Sequence, residues 1–452
     1  MIPYTYIFLM RLSRLIIVLI FIVGLSSCKT NRTATIVTSP PTLSSRIAEA
    51  SIFTENFSGI FIQDAESEEI LFQQYADRRF TPASTIKIFT FYAALEELGK
   101  EIPALYFAPI GDTLILWGTG DPGFLHPDLP PSDLVINFLE KRSERIILFN
   151  DQNFYDERFG AGWAWDDYQY GYQTEKSAWP IYGNTVTFVK KTGADIKVFP
   201  RYFTTQLVPT ANKQRGIIRT EYDNIFSYNP AQLSARFTLK RPFYYQQNLL
   251  PVLLTDTLGR TILLDTANRS LLPNHKTLYR PLTDDIYRLL MQESDNFTAE
   301  QLLLTIGGKR IDSLETKKTI ELLKRTHFKA IASNIRWVDG SGLSRYNLLT
   351  PRSVGWVLKK LYEKMSREQL FDIFPAGGKS GTIANWYGGK EYPYVFAKTG
   401  SLSGVHCLSG YIITKKGKTL IFSFMHNGFI GSANGYREEM QRILEFIHKA
   451  HN

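Results

Sequence analysis

The sequence predicts an α/β (α+β) fold in which helices flank antiparallel strands near both ends of the chain. Three observations favour this fold class. The 452-residue chain, with 44% hydrophobic and 21% charged residues, can bury a sizeable core and is long enough for two or three domains. Strand-like and helical patterns alternate near both ends. Between about residues 100 and 275, short β-like runs rich in Tyr, Trp, Pro and Gly replace the helical periodicity.

The first 28 residues have the pattern of a secretion signal. Two arginines precede the apolar run Leu15–Leu25, which is short for a membrane span. Small residues then precede Cys28, a pattern that resembles the lipobox of bacterial lipoproteins, in which the cysteine carries lipid. We expect a lipoprotein signal peptide over residues 1–27; an ordinary signal peptide or an uncleaved anchor is the alternative, and Met10 is a second candidate start.

Residues 28–45 are polar, contain two adjacent prolines, and are expected to form a tether. Cys407 is the other cysteine, so a lipidated Cys28 leaves no disulfide to form. The formal charge of +9 is spread along the chain without a dense basic block, so no nucleic-acid partner is predicted. The histidines are scattered, and we predict neither a metal site nor a cofactor.

Two apolar runs, Phe57–Asp64 and Glu69–Tyr75, are separated by an acidic stretch and predict a β-hairpin. Apolar residues at helical spacing follow, and Gly99 is a stop signal. We therefore expect a helix that begins near Ser84.

The second half of the chain returns to clear helical and strand patterns. Helices are predicted over four segments: Pro281–Ser294, Asn296–Gly308, Ser313–Arg325 and Thr350–Met365. Strands are predicted over Tyr394–Gly400, Val405–Thr414 and Thr419–Asn427, and a helix follows to the C-terminus.

Ser84 and Lys87 are three residues apart at the predicted helix start, which puts both side chains on one face. A desolvated lysine can take the proton of a serine hydroxyl, and the helix N-terminus offers N–H groups to an oxyanion. The pair is a weak signal alone, because the same spacing occurs at Ser26 and Lys29.

Ser294 and Asn296 lie at the junction of two predicted helices, where polar side chains can face a cleft. Helix capping is the alternative explanation, since Ser, Asp and Asn are preferred caps.

The triplet Lys-Thr-Gly occurs at 191–193 and at 398–400, with a near copy at 379–381. Only Lys398 follows a predicted strand and precedes two more. Its ammonium and the Thr399 hydroxyl are suited to a substrate carboxylate, and Gly400 would allow close approach of a ligand backbone.

In this order, Ser-x-x-Lys, Ser-Asp-Asn and Lys-Thr-Gly resemble the motif set of β-lactamases and penicillin-binding proteins. Three further stretches, 118–122, 162–167 and 338–351, resemble D-Ala-D-Ala carboxypeptidase/endopeptidases of the penicillin-binding protein 4 type. The resemblance runs from about residue 50 to the C-terminus. That family accounts for the long segment between Lys87 and Ser294 by inserted domains.

The resemblance implies a transpeptidase/β-lactamase-like domain interrupted by two smaller β-rich domains. The expected bounds are 46–100 and 277–452 for the catalytic domain, 101–187 and 241–276 for inserted domain II, and 188–240 for inserted domain III.

The resemblance also implies the chemistry: an acyl-enzyme formed on D-Ala-D-Ala or D-Ala-diaminopimelate bonds of peptidoglycan stem peptides, with β-lactams as inhibitors. The implied roles are nucleophile for Ser84, base for Lys87, proton relay for Ser294, amide binding for Asn296, carboxylate binding for Lys398 and Thr399, and an oxyanion hole from the N–H groups of Ser84 and Ser401. Which residue is the acylation base is disputed in the wider superfamily.

Asp167 and Tyr172 lie in a Trp/Tyr-rich stretch, and a carboxylate beside aromatic faces suits the ammonium side chain of diaminopimelate. An aromatic packing patch between domains is the alternative.

A β-lactamase or esterase using the same residues is the runner-up function. A non-hydrolytic cell-wall-binding or β-lactam-sensing protein is a third, although a protein of that kind would not need every reactive group. We expect a location on the periplasmic side of the cell envelope, with a lipid anchor on Cys28. The oligomeric state and the balance of carboxypeptidase and endopeptidase activity stay open.

Overall fold

The computed structural model describes residues 42–450 except 212, 214, 268, 390 and 391. The predicted signal peptide and Cys28 lie outside the described residues. Within the described part, no helix combines the length and the apolar character needed to cross a membrane.

The helices and strands are numbered in chain order. The α-helices are α1 Leu43–Ala48, α2 Ser51–Thr54, α3 Lys87–Glu97, α4 Leu134–Glu140, α5 Leu249–Leu258, α6 Asp284–Met291, α7 Asn296–Ile311, α8 Thr316–Arg325, α9 Pro351–Lys364, α10 Arg367–Ile373 and α11 Asn434–Ala450. The strands are β1 Phe57–Asp64, β2 Ile70–Gln74, β3 Glu101–Ile110, β4 Thr113–Trp117, β5 Ile146–Asn150, β6 Thr185–Lys190, β7 Lys197–Phe199, β8 Leu207–Pro209, β9 Ile217–Arg219, β10 Phe226–Tyr228, β11 Phe237–Pro242, β12 Leu263–Leu264, β13 Lys276–Pro281, β14 Val395–Leu402, β15 Val405–Ile413 and β16 Thr419–Asn427.

The two ends of the chain share one antiparallel sheet, with strand order β14-β15-β16-β1-β2. The first strand pairs with the last, from Phe57 opposite Asn427 to Asp64 opposite Leu420. The predicted hairpin of β1 and β2 is present, and β14 lies at the edge of the sheet. An edge strand leaves one side free for an extended ligand.

Helices cover both faces of this sheet because successive strand residues point to opposite sides. Phe424 packs in the core formed with α1 and α11, whereas its neighbour Met425 packs in the core formed with α3, α7 and α9. Thr350 caps α9 and Pro351 occupies its first turn, where the missing N–H of a proline costs no helical hydrogen bond. The core formed with α3, α7 and α9 packs the start of α3 against the sheet.

The middle of the chain builds a five-stranded sheet of order β12-β5-β4-β3-β13 and two three-stranded sheets. The expectation that this region has little helix was wrong for α4 and α5. Helix α5, with sequence LLPVLLTDTL, is apolar in most of its first turns, so it lacks the polar face that makes helical periodicity visible. Helix α10 was also not predicted. The predicted limits of inserted domain III fall inside β6 and β11, and the domain bounds stay a prediction.

Candidate active site

Ser84 lies in a 3₁₀ turn, Ala83–Ile86, that leads directly into α3. Ala83 has a left-handed backbone with φ of 46°, a conformation that non-glycine residues rarely adopt outside functional sites and turns. Lys87, the first residue of α3, is fully buried, and its Nζ lies 3.1 Å from Ser84 Oγ. The predicted contact between the two side chains is therefore present.

Lys87 also donates hydrogen bonds to two carbonyl oxygens. Its Nζ donates to Asn296 Oδ1 at 2.5 Å and to the main-chain oxygen of Ser341 at 2.6 Å. Burial lowers the pKa of Lys87 to about 8, against the opposing charges of Asp295, Asp339 and Glu300. A lysine in this state can exchange a proton near neutral pH.

Ser294 and Asn296 lie between α6 and α7, at the predicted junction. Ser294 has a φ of 60°, and Asp295 caps α7 by accepting from the Thr298 N–H at 2.6 Å. The Asn296 amide is held on both sides, because its Nδ2 also donates to the Tyr172 carbonyl at 2.7 Å. This contact brings the middle region of the chain into the site.

Lys398 lies within the edge strand β14 and is fully buried. Its Nζ donates to Ser294 Oγ at 2.8 Å and to the Thr399 carbonyl at 2.9 Å. Burial and the positive charge of Lys87 hold its pKa well below the ordinary value. The two other triplets differ: Lys191 follows β6 in an exposed turn, and Lys379 lies in an exposed loop.

Gly400 is confined by the protein's own backbone, and the predicted approach of a ligand backbone there stays a prediction. A Cβ there would come within 2.4 Å of the Pro82 carbonyl oxygen and 3.0 Å of the Ser84 nitrogen. The close approach is thus made by the protein's own backbone around the nucleophile. Thr399 Oγ1 donates to Thr382 Oγ1 at 2.7 Å, and Ser401 Oγ lies 2.9 Å from Nδ1 of the buried His406.

A cleft of about 470 Å³ brings most of the predicted residues together. Its lining comprises Ser84, Gly162, Ala164, Asp167, Tyr172, Gln173, Ser294, Asn296, Gly342, Leu343, Arg345, Ser401, Leu402 and Ser403. Asp167 is partly exposed and Tyr172 is exposed, and we call these two residues the rim of the cleft. Burial and then the Asp167 carboxylate raise the pKa of Tyr172 to about 12, and Tyr172 stacks on Tyr170 with 5.4 Å between ring centroids.

Sequence reasoning missed the residues beneath the cleft, chiefly Glu300, Asp339 and the carbonyl of Ser341. A signal was available in the stretch VDGSGLSRYN, where an aspartate precedes two closely spaced glycines. That stretch carries part of the family resemblance, but the sequence alone assigns its residues no role. Arg345, whose Nη1 donates to the Ser403 carbonyl at 3.3 Å, was missed in the same way.

In the described part of the chain, no group of three or more His, Cys, Asp or Glu side chains is arranged to hold a metal ion. The geometry above is therefore that of a serine with a buried lysine partner, next to a second buried lysine at a sheet edge. Such an arrangement is suited to acyl transfer to a serine hydroxyl.

Comparisons with known proteins agree with this chemistry. The model of the D-Ala-D-Ala carboxypeptidase 3 (S13) family matches residues 41–207 and 260–449. The chain is 24% identical over 446 residues to the D-alanyl-D-alanine carboxypeptidase DacB of Haemophilus influenzae, covering 87% of this chain and 90% of that protein. It is 26% identical over 428 residues to a D-alanyl-D-alanine carboxypeptidase of an Actinomadura species, covering 83% of this chain and 78% of that protein.

Among solved structures, penicillin binding protein 4 from H. influenzae shares the fold, with a TM-score of 0.69 and 21% identity over 90% of this chain and 98% of that one. The predicted fold class, helices flanking antiparallel sheets, is confirmed by this match. Because the family model matches well over half of its length, the chain belongs to the D-Ala-D-Ala carboxypeptidase 3 (S13) family of serine-type carboxypeptidases.

Proposed function

We propose that Ser84 is the nucleophile of this D-Ala-D-Ala carboxypeptidase and that Lys87 is its base. One observation carries the proposal: of the three hydrogen-bond partners of Lys87, Asn296 Oδ1 and the Ser341 oxygen are carbonyl oxygens, which can only accept. A neutral amine has two hydrogens and one lone pair. With both hydrogens given to these oxygens, the lone pair faces the Ser84 hydroxyl, the one partner of the three that can donate.

The reaction follows from this arrangement. Ser84 Oγ attacks the carbonyl carbon between two D-alanines, and its proton passes to Lys87 as the new C–O bond forms. The N–H groups of Ser84 and Ser401 stabilise the oxyanion. Ser294, whose Oγ accepts from Lys398 at 2.8 Å, relays a proton to the leaving amine, and water then hydrolyses the acyl-enzyme.

Recognition of the substrate terminus rests on Lys398. Its hydrogen-bond partners in the described chain are a hydroxyl and a main-chain carbonyl, so no carboxylate balances its charge. The C-terminal carboxylate of a stem peptide supplies that charge, with Thr399 beside it. Asn296 keeps a second Nδ2 hydrogen beyond the one given to Tyr172, and this hydrogen binds the substrate amide oxygen.

Asp167 and Tyr172 are proposed to bind the ammonium end of a diaminopimelate side chain. Both line the cleft, and the hydroxyl of Tyr172 interacts with the Asp167 carboxylate. The stacked ring of Tyr170 supports the apolar part of such a side chain.

A peptidoglycan-cleaving enzyme works in the cell envelope, and we propose that a lipid on Cys28 holds this one to a membrane on the periplasmic side. The polar residues 28–45 would separate the enzyme from the membrane surface. We also propose the predicted catalytic domain and inserted domains as its domain organisation. β-Lactams are the expected inhibitors, and the H. influenzae penicillin binding protein 4 has been solved in complex with one.

The test is to label the protein with a fluorescent penicillin and to locate the adduct by peptide mass spectrometry. We expect one adduct, on Ser84, and none in Ser84→Ala. Ser143→Ala, which changes an exposed serine before β5, is the control and labels normally. Undiminished labelling of Ser84→Ala would contradict the proposal, and release of the label within seconds would indicate a β-lactamase instead.

A further inference from the structure

The loop that supplies the Ser341 carbonyl packs directly on the nucleophile. Gly342 has a φ of 89°, and a Cβ there would lie 2.0 Å from the Ala83 oxygen and 2.9 Å from the Ser84 nitrogen. Gly340 is equally confined, since its Cβ would lie 2.6 Å from the Ala299 oxygen in α7. The position of this loop therefore determines where the Ser341 carbonyl meets Lys87.

Two buried carboxyl groups hold the two N–H groups that flank that carbonyl. Glu300 Oε1 accepts from the Ser341 N–H at 2.7 Å, and Asp339 Oδ1 accepts from the Gly342 N–H at 2.9 Å. Each of the two side chains is 1% exposed. Asp339 also ties the loop to the cleft rim, because its Oδ2 accepts from Trp163 Nε1 at 2.8 Å.

Glu300 is the more informative of the two carboxyl groups. Its second oxygen, Oε2, is buried and accepts no hydrogen bond from a described residue. Burying such a group opposes folding, so local stability gives no reason for a glutamate here. Glu300 stands one turn after Asn296 on α7, and four-residue spacing puts both side chains on the face that meets Lys87.

We propose that Glu300 and Asp339 are positioning residues for the base: they hold the Ser341 carbonyl on Lys87 and thereby direct its lone pair at Ser84. The inference rests on the proposed role of Lys87. Without the Ser341 carbonyl in place, the amine can turn, and a hydrogen instead of the lone pair faces the hydroxyl.

The charges around Lys87 give the proposal a readout in pH. The groups that face it are Asp295, Glu300 and Asp339, which favour its charged form, and Lys398, which opposes it. Burial, followed by the charge of Asp339, raises the pKa of Glu300 to about 7, while Lys176 lowers it. Glu300 is thus ionised over the range in which Lys87, with a pKa of about 8, loses its proton. Removing the charge of Glu300 lowers the pKa of Lys87 further.

The experiment compares Glu300→Gln with Glu300→Leu in single-turnover acylation by a fluorescent penicillin between pH 6 and 9.5, with mass spectrometry of the Ser84 peptide. Glutamine keeps an acceptor for the Ser341 N–H without the charge. We expect its maximal rate to stay within about threefold of wild type, with the acid midpoint about 0.5 pH unit lower. Leucine removes the acceptor, and the maximal rate is expected to fall about 10- to 100-fold.

Glu97→Gln is the matched control, because Glu97 is also buried but lies at the far end of α3, bonded to Arg310 and His327. It should leave rate and pH profile unchanged. Wild-type acylation by Glu300→Leu would overturn the proposal, as would an equal loss of rate in Glu300→Gln and Glu300→Leu. If the leucine variant does not fold, an unmoved midpoint in Glu300→Gln overturns it. If the proposed function itself is wrong, the wild-type protein forms no Ser84 adduct, and this result distinguishes the two failures.

Discussion

The two lysines of the site are equally buried but have opposite surroundings. Lys87 faces Asp295, Asp339 and Glu300, whose charges favour its protonated form against the effect of burial. Lys398 faces no carboxylate among the described residues that contact it, and the charge acting on it is the positive one of Lys87. Burial is the same for both lysines, so the different functions proposed for them depend on the neighbouring charges.

This difference indicates what each lysine does when substrate arrives. With carboxylates already in place, Lys87 can gain and release a proton near neutral pH without help from the ligand. No residue in the described part of the chain supplies a counter-charge to Lys398, and a substrate carboxylate would favour its charged form. We therefore propose catalysis for Lys87 and recognition for Lys398.

The largest effect is expected for Lys87→Met, which keeps the apolar stem and removes the amine. Loss of a general base should lower the acylation rate by about 10³-fold, for a D-Ala-D-Ala peptide and for penicillin alike. Single-turnover acylation followed by mass spectrometry of the Ser84 peptide measures both. A loss confined to the peptide would mean that Lys87 binds substrate, and the contrast with Lys398 would fail.

Lys398→Met should act on recognition instead. We expect the wild-type protein to cleave a peptide with a free C-terminal carboxylate at a higher kcat/KM than the same peptide with a C-terminal amide. Because a buried hydrogen bond to a charged group contributes strongly to binding, Lys398→Met should reduce this preference about 10- to 100-fold. Measuring both peptides separates carboxylate binding from any effect through Ser294, which both peptides share. An unchanged ratio of the two kcat/KM values would exclude Lys398 as the carboxylate site.

The sequence was sufficient for the contact of Lys87 with Ser84 and for the strand that carries Lys398, because spacing along a helix and an apolar run before Lys398 are visible in it. It was not sufficient for contacts across the fold. Glu300 and the Ser341 carbonyl approach Lys87 only through packing between separate elements. Helix α5 was missed for a different reason, since its exposed side carries the apolar Val252, and the polar face that periodicity needs is interrupted.

Substitution of a rim residue should slow the reaction less than substitution of either lysine, and only for ligands that carry a diaminopimelate side chain. Asp167 is partly exposed, so an ion pair with a diaminopimelate ammonium contributes about 1 kcal/mol at most. Asp167→Ala should therefore slow cleavage of diaminopimelate-containing peptides by about fivefold and leave penicillin acylation intact. Assays of both substrates on the same preparation check this. Equal loss on both would remove the proposed role.

The smallest expected effect tests whether the middle region of the chain contributes to substrate binding at the cleft rim. Arg241 in β11 lies between the two segments matched by the family model, and its guanidinium is 5.6 Å from the centroid of the Tyr170 ring. Tyr170 stacks on Tyr172, whose carbonyl holds the amide of Asn296.

Because a cation–π contact contributes about 0.5–1 kcal/mol, Arg241→Met should raise KM for a diaminopimelate peptide about two- to fivefold with little change in penicillin acylation. The neighbouring Lys240, which points to the other face of the strand and pairs with Asp128, offers the control Lys240→Met. Equal KM values for the two variants would mean that the rim is positioned without β11. A selective rise in KM for Arg241→Met would mean that a segment outside the family match helps to set substrate affinity.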